Sequence, residues 1–323
     1  MNITHHLCDW QNCEPFFISS DSDQADRYSE LTQSRSIPEN PLQYVLSALG
    51  ANGVLIDIGA NVGTFTLSAA AAGARVLAVE ALAHNYVLLV DAIVANKFTH
   101  VTAVHAAAFS KSDLLFMMGS SAWGQISNTG TGQLVPALRL DDLHRAYAFS
   151  DAGVLKMDVE GAELSVIEGG QEFLKSAASL RIVFEVNPWA SAGFGYGHEE
   201  LLGRFEHLGY QLYLICGSVL VPRTSADFQE AVLSDYVAVK DSRLASVPGF
   251  SVRPLTLSER VELTLAQLRA PNPELRAFVL ATAARMPAEM AADPDIRAAL
   301  TTVETDTGAD FLTALARLQT IYQ

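Results

Sequence analysis

The stretch VLIDIGANVGTFTLSAA, residues 54–70, joins an apolar segment to an alanine-rich helical pattern. Asp57 lies near the end of the apolar segment. Small residues fill the bend that follows: Gly59, Ala60, Asn61 and Gly63. Glycine lets a backbone approach a ligand closely, and the start of a helix offers unpaired amides. The sequence therefore predicts a strand, a nucleotide-binding type of loop and a helix.

Apolar runs alternate with helical patterns from about residue 42 to residue 240. This alternation is typical of a mostly parallel sheet covered by helices on both faces. We expect seven strands, at residues 53–59, 75–80, 101–107, 153–159, 181–186, 211–216 and 235–240. We expect helices near 62–72, 83–96, 141–147, 162–176 and 198–208, and none between the last two strands. The predicted fold class is α/β, a doubly wound Rossmann-like sheet that ends in an antiparallel hairpin.

The composition narrows the classes of partner and the compartment. A net charge of −15 over 323 residues disfavours nucleic acid and anionic membrane surfaces, so a small or neutral substrate is expected. Three cysteines cannot all pair, and the chain opens without a basic segment followed by an apolar one, so we expect a cytoplasmic protein. The apolar runs are too short to predict a membrane span.

Three regions are expected along the chain. Residues 1–41 are polar and acidic and are expected to be irregular, and residues 42–245 form the α/β domain. Residues 246–323 are expected to form three or four short helices, with a capping-box pattern at Thr256 and Glu259. The apolar faces of these helices could pack on the main domain, on a second copy in a homodimer or on another protein.

An acidic residue, Glu80, ends the second predicted strand. A carboxylate at this position can accept hydrogen bonds from both hydroxyls of a ribose. Nicotinamide dinucleotides are usually bound by glycines spaced G-x-G-x-x-G, whereas this chain has Asn61 at the second position. S-adenosylmethionine has no phosphate and tolerates a side chain there, and Asp57 could lie near its ammonium group. The pattern favours this methyl donor over a hydride carrier.

Several further motifs resemble one family closely: DIGANVGTFTLSAA (57–70), VEALAHNY (79–86), LRLDDL (138–143), LKMDVEGAELSVIEGG (155–170) and FEVNP (184–188). The chain is similar over roughly residues 50–240 to the FkbM-type S-adenosylmethionine-dependent methyltransferases. The resemblance implies a class I methyltransferase fold and O-methylation of a natural product or glycan.

The acidic motif after the fourth predicted strand would carry the chemistry. Asp158 and Glu160 follow that strand at the expected switch point, where the methyl group must meet its acceptor. A weakly nucleophilic hydroxyl needs a base at hydrogen-bond distance, and Asp158 is the first choice, with Glu160 as its partner. Glu163 is expected to cap the following helix instead.

Substrate contacts are expected from three residues outside that motif: Glu185, His84 and Trp189. His84 and His198 are further possible bases. Aromatic residues in glycine-rich loops, among them Trp123, Phe194 and Tyr196, could cover the acceptor, or could simply be tucked inward.

Other interpretations stay open at this point. Asp158, Glu160 and Glu185 could hold a divalent cation, although no metal is predicted. His5, His6, Cys8 and Cys13 suggest zinc but lack the spacing of a structural site.

Two other functions are also possible. An NAD(P)-dependent oxidoreductase is one, because Tyr236 and Lys240 have the spacing of a dehydrogenase pair; they fall in a predicted strand, which would hold them apart. A catalytically inactive, methyltransferase-like binding protein is the other.

Overall fold

The computed structural model describes residues 1–10, 13–22, 40–50, 52–118, 125–127, 130–225, 234–269, 273–283, 286–309 and 311–312. The strands are β1 (Ile3–Cys8), β2 (Phe16–Asp21), β3 (Val54–Ile58), β4 (Arg75–Glu80), β5 (Val101–His105), β6 (Ala107–Ala108), β7 (Asp113–Met118), β8 (Gln125–Ile126), β9 (Gln133–Leu138), β10 (Val154–Met157), β11 (Arg181–Val186), β12 (Gln211–Cys216), β13 (Val219–Pro222), β14 (Ser234–Val239) and β15 (Ser251–Val252). The helices are α1 (Asn40–Leu49), α2 (Thr64–Ala71), α3 (Ala83–Ala95), α4 (Leu140–Ala146), α5 (Glu163–Gly169), α6 (Gln171–Ser176), α7 (Pro188–Ala192), α8 (His198–His207), α9 (Leu257–Leu268), α10 (Pro273–Thr282), α11 (Ala288–Ala291) and α12 (Pro294–Glu304).

The central sheet has the strand order β15-β13-β12-β14-β11-β10-β3-β4-β5. The five strands from β5 to β11 run parallel, and β14 is antiparallel to both β11 and β12. The predicted α/β class and the antiparallel ending are therefore confirmed. The predicted count of seven strands is wrong, because β13 and the two-residue β15 extend the sheet beyond β12 to nine strands.

Alternate residues of the central strands enter two separate cores. Ile56 of β3 and Leu155 of β10 belong to one core, and Leu55 and Val154 belong to the other. This alternation follows from the strand geometry, since successive side chains point to opposite faces. Both faces are covered, which explains why these strands read as continuous apolar runs.

A second sheet lies between β5 and β10 in the chain, where the sequence analysis predicted no strands after residue 107. Its order is β6-β9-β7-β8, with β7 antiparallel to β8 and β9. One face packs inward through Met117 and Val135, next to Leu82 of the main domain. Leu114 and Leu134 are exposed on the other face. Apolar residues on both faces obscure the two-residue alternation from which strands are recognised.

The helix predicted over residues 162–176 is two helices, α5 and α6, separated at Gly170. A Cβ on Gly169 would lie 2.0 Å from the carbonyl oxygen of Phe109, and one on Gly170 would lie 2.7 Å from the side chain of Leu140. The two glycines therefore let neighbouring segments approach the break.

The N-terminal segment is ordered over its described residues, which corrects the expectation that residues 1–41 are irregular. Strands β1 and β2 form an antiparallel hairpin. Phe16 and Ile18 are buried there with residues of α2 and α3. Asn96 Oδ1 accepts from the Phe17 amide at 2.7 Å, which fixes the hairpin to the end of α3. The serines and histidines of these two strands give the sequence a polar character, which is why it did not predict them.

The described part of the C-terminal region contains β15, which joins the central sheet, and then helices α9 to α12. The predicted capping box is present, since Thr256 Oγ1 accepts from the Glu259 amide and the Glu259 carboxylate accepts from the Thr256 amide at 2.8 Å. Trp189 packs against the apolar core of these helices. Among the described residues, no helix is both long enough and apolar enough to cross a membrane.

Replacing Phe16 with alanine tests whether the hairpin belongs to the folded core. Phe16 is fully buried and meets the Trp10 ring edge-on at 5.3 Å between centroids. We expect Phe16→Ala to lower the free energy of unfolding by about 3–5 kcal/mol, measured by urea denaturation. The matched control is Phe17→Ala, whose side chain is 40% exposed and should change stability little. Equal effects of the two variants would contradict this structure of the hairpin.

Candidate active site

A cleft opens at the carboxyl ends of β3 and β10. The chain runs from β3 outward through β4 and β5 and then returns to β10 on the other side of β3, so the strand order reverses between β3 and β10. Ligands of open α/β sheets bind at this kind of switch point. The cleft encloses about 620 Å³ of free space that is open to solvent. Its described lining residues are Gly59, Asn61, Val79, Glu80, Ala81, Leu82, Asn85, Ala106, Ala107, Ala108, Met117, Ile126, Asp158, Val159, Glu160 and Ala162.

The loop after β3 is built around Gly59, whose φ is 76°. A Cβ at this position would lie 1.8 Å from the carbonyl oxygen of Asp158. The loops that follow β3 and β10 therefore touch backbone to backbone at the base of the cleft. The Gly59 and Ala60 amides both donate to the Val79 carbonyl at 3.0 Å, which holds the loop against β4.

Glu80 links the loops after β3 and β4. Its Oε2 accepts from the Asn61 amide and its Oε1 from the Leu82 amide, each at 2.8 Å. Burial raises the pKa of this carboxyl above its ordinary value. Each carboxylate oxygen has a second lone pair, so the side chain can still accept from hydroxyls in the cleft.

A buried lysine, Lys156, lies behind the cleft and was not singled out in the sequence. Its Nζ donates to the Gly59 carbonyl at 2.7 Å and lies 3.5 Å from Asp57 Oδ1 and 3.6 Å from Asp158 Oδ2. It also lies 5.1 Å from the centre of the Phe65 ring. The sequence did contain a signal for Lys156, since it is a charged residue inside an apolar strand. A buried charge needs a partner, so its position pointed to a nearby acid.

The three acidic residues of the DVEGAE motif have different surroundings. Asp158 is half exposed at the rim, next to Lys156. Glu163 is buried and accepts from the Val159 and Gly161 amides and from the Tyr196 hydroxyl. Glu160 lines the cleft, and its Oε2 is buried without a hydrogen-bond partner among the described residues. Glu163 thus closes the loop from behind, whereas Asp158 and Glu160 face the cleft.

Burial and neighbouring carboxylates raise the pKa of two carboxyl groups near the cleft, Glu160 and Glu185. The pKa of Glu160 is raised to about 8, first by burial and then by Asp158 and Glu163. Burial also raises the pKa of Glu185, with further contributions from Asp158 and Asp235. Perturbed carboxyl groups of this kind cluster at functional sites.

Four of the predicted donor-binding residues line the cleft: Gly59, Asn61, Glu80 and Asp158. Asp57 does not, because its side chain is fully buried under α2, where Thr66 Oγ1 donates to it at 2.6 Å. Ala60 and Gly63 are buried behind the loop. A Cβ on Gly63 would lie 2.6 Å from the Leu89 side chain, so this glycine serves packing.

The three residues predicted to bind substrate lie outside the described lining. Glu185 is the last residue but one of β11, the strand next to β10. His84 lies 3.9 Å from Asp21 of the N-terminal hairpin. Trp189 packs against the C-terminal helices.

The other candidates that the structure describes are not among the lining residues of the cleft either. Tyr196 is buried and donates to Gly161 and Glu163, and Phe194 packs against the main core. His198 is buried, 3.4 Å from Glu199. Trp123 lies outside the described residues.

Neither of the two metal sites considered from the sequence has a set of ligands in the described part of the chain. No three histidine, cysteine, aspartate or glutamate side chains there are grouped so that they could hold an ion. In the N-terminal hairpin, His5 pairs with Asp91 at 2.6 Å and His6 with Ser20 at 2.7 Å.

The dehydrogenase pairing is also absent from the structure. Tyr236 lies in β14 and is 1% exposed, inside the main core. Lys240 follows that strand, and its ammonium group donates to the Lys175 carbonyl. Tyr236 and Lys240 therefore have different partners and do not form a pair, as expected for residues in a strand.

Comparison with known proteins agrees with this geometry. The sequence model of the methyltransferase FkbM domain matches residues 57–212, which include the loops after β3, β4 and β10. The chain thus contains an FkbM methyltransferase domain and is a methyltransferase, and the predicted resemblance and S-adenosylmethionine dependence are confirmed. A search of curated proteins finds no significant match.

Two solved structures illustrate the likeness of fold. A precorrin-6y C5,15-methyltransferase from Geobacter metallireducens is 17% identical, with a TM-score of 0.37 over 61% of this chain and 83% of its own. A TehB-like SAM-dependent methyltransferase from Corynebacterium glutamicum is 15% identical, with a TM-score of 0.38 over 66% of this chain and 92% of its own. At these values the likeness says nothing about the substrate.

Substitution of Gly59 tests the contact between the two loops. Gly59→Ala places a Cβ against the Asp158 backbone in addition to the left-handed strain, so we expect a loss of more than about 3 kcal/mol in stability. Gly73→Ala is the control, because Gly73 has φ 90° but no atom within 4 Å of its Cβ, and it should cost only about 1–2 kcal/mol. Thermal denaturation of both variants gives the comparison; similar losses would refute the close contact.

Proposed function

We propose that this chain is an S-adenosylmethionine-dependent O-methyltransferase that acts on a hydroxyl group of a glycan, a sugar or a polyketide-type natural product. The observation that carries the proposal is the position of Glu80 and Asp158 on opposite sides of one cleft at the switch point, within the FkbM domain. The methyltransferase domain is proposed to span residues 42–245, between the N-terminal extension (1–41) and the C-terminal helical region (246–323).

The described residues fit a nucleoside ligand. Glu80 offers free lone pairs for ribose hydroxyls, and the Gly59 turn brings backbone to the edge of the cleft without a side chain. Apolar residues from the second sheet, Met117 and Ile126, close the opposite wall. The bound donor supplies an electrophilic methyl group. Asp57 supports this site from behind through Lys156.

The acidic side of the cleft would receive the acceptor. Methyl transfer requires the acceptor oxygen, the carbon and the sulfur to lie in line, so positioning supplies much of the acceleration. Asp158 and Glu160 are proposed to orient the hydroxyl and to remove its proton, because both line the cleft. Glu185, His84 and Trp189 are proposed to contact the part of the acceptor that extends beyond the described lining of the cleft.

The remaining features support a small acceptor in a reducing compartment. The net charge of −15 opposes binding to nucleic acid. Cys8, Cys13 and Cys216 are all free thiols, which fits the proposed cytoplasmic location. The C-terminal helices are proposed as the contact for a second copy or another protein.

Calorimetry with S-adenosylmethionine and with NAD tests the proposed donor. We expect the purified chain to bind S-adenosylmethionine and not NAD, because the loop lacks the second glycine of a pyrophosphate site. Binding of NAD alone would overturn the proposal in favour of an oxidoreductase. Binding of neither ligand would favour a protein that has lost the activity.

The role of Glu80 is tested by Glu80→Gln. The amide cannot accept at both oxygens as the carboxylate does, so donor binding should weaken by roughly tenfold to a hundredfold, as expected for lost hydrogen bonds to a charged group. Glu168→Gln is the matched control, because the Glu168 side chain is 42% exposed on α5 and away from the cleft. Unchanged affinity in Glu80→Gln would remove this residue from the donor site.

A further inference from the structure

We propose that Glu160, and not Asp158, takes the proton from the acceptor hydroxyl, and that Lys156 is a positioning residue that keeps Asp158 from this role. This inference rests on the proposed function and assigns the base within it. In the step, the acceptor oxygen forms a bond to the methyl carbon and the carbon–sulfur bond breaks with its electron pair going to sulfur. The hydroxyl proton passes to the Glu160 carboxylate and later to water.

The two other carboxylates of the motif are already engaged by protein groups. Lys156 lies 3.6 Å from Asp158 Oδ2, so the charge of Asp158 is balanced from within the protein. Glu163 accepts from two amides and a tyrosine hydroxyl behind the loop. Glu160 is left with a buried oxygen that has no hydrogen-bond partner among the described residues. A base needs a carboxylate that lines the cleft and that the protein has not already engaged, and Glu160 fits this description.

The backbone turn at Glu160 aims its side chain into the cleft. Glu160 has φ 51°, a left-handed conformation that costs a glutamate about 1 kcal/mol or more. Gly161 follows with φ 98°, and a Cβ there would lie 2.5 Å from the Ala190 backbone, so the turn is pressed against α7. The turn places Glu160 in the cleft lining while Glu163 points away. Strain of this kind persists where the surrounding structure enforces it.

The charged groups around Glu160 come from several elements. Lys156, Asp158 and Glu163 act on Glu160 from its own segment. On the neighbouring strands, Glu160 and Asp235 of β14 both act on Glu185 of β11. Burial, and then the neighbouring carboxylates, raise the pKa of Glu160 to about 8, close to the operating range of a general base. A cationic donor in the same cleft would favour its ionised form. Donor binding would therefore generate the base.

The test compares the sulfonium donor with its neutral product, S-adenosylhomocysteine, by calorimetry from pH 6.5 to 9.5. The amino-acid end is common to both ligands, so its titration cancels in the ratio of their dissociation constants. As the pH rises through about 8, Glu160 ionises and should favour the sulfonium. We expect the ratio (product over donor) to rise by about three- to tenfold in the natural protein, and to stay flat in Glu160→Gln.

Glu185→Gln is the matched control, since it removes the other carboxyl with a raised pKa and should keep the rise. A flat ratio in the natural protein, or a rise that persists in Glu160→Gln, overturns the inference. Equal flattening in Glu185→Gln shows a shared charge and also overturns the assignment to Glu160. If the donor does not bind at all, the proposed function itself fails, which separates the two outcomes.

The role of Lys156 is read from two variants in the same experiment. Lys156→Met removes the charge beside Asp158 and should let Asp158 favour the sulfonium as well, so the ratio increases at every pH. Lys156→Arg keeps the charge and should restore the natural curve, provided that circular dichroism shows both variants folded. A ratio in Lys156→Met that matches the natural protein would remove the positioning role.

Discussion

The active-site end of this sheet depends on one buried cation. Lys156 and Asp57 are opposite each other on the two central strands, and both side chains are almost completely buried. Removing one partner of a buried pair leaves the other charge unpaired, which typically costs about 3–5 kcal/mol. The same ammonium holds the Gly59 carbonyl, so the charge that satisfies the core also fixes the loop of the cleft. Stability and site geometry are therefore coupled through a single side chain.

The sequence predicted the central part of the fold because its signals are local. The run from residue 54 to residue 70 contains a strand, a bend and a helix in order, and the structure has β3, the Gly59 loop and α2 at these positions. The second sheet and the N-terminal hairpin were missed. Strands of two to six residues with exposed apolar side chains carry little periodic signal, and pairing with distant segments decides their structure.

The site was predicted in part, and the limit is the direction of each side chain. Gly59, Asn61, Glu80, Asp158 and Glu160 follow strand ends and do line the cleft. Asp57 also lies near a strand end, but it belongs to the face of β3 that packs under α2. Trp189 could not be placed from sequence, because its contacts come from helices far along the chain. Lys156 required knowledge of the register between β3 and β10.

The strand order also governs when the cleft can form during folding. In the register of the sheet Leu55 lies opposite Val76, which is close in the chain, and also opposite Val154, which is distant. Pairing with a distant strand is slow, because the chain loses loop-closure entropy before the stabilising contacts form. During synthesis, β3, β4 and β5 emerge before β10. At that stage one edge of β3 has no neighbouring strand, and the Asp57 carboxylate has not yet met Lys156. The nascent chain therefore passes through a stage in which an acid that is fully buried in the folded protein is exposed to water, and the cleft is completed only after β10 has left the ribosome.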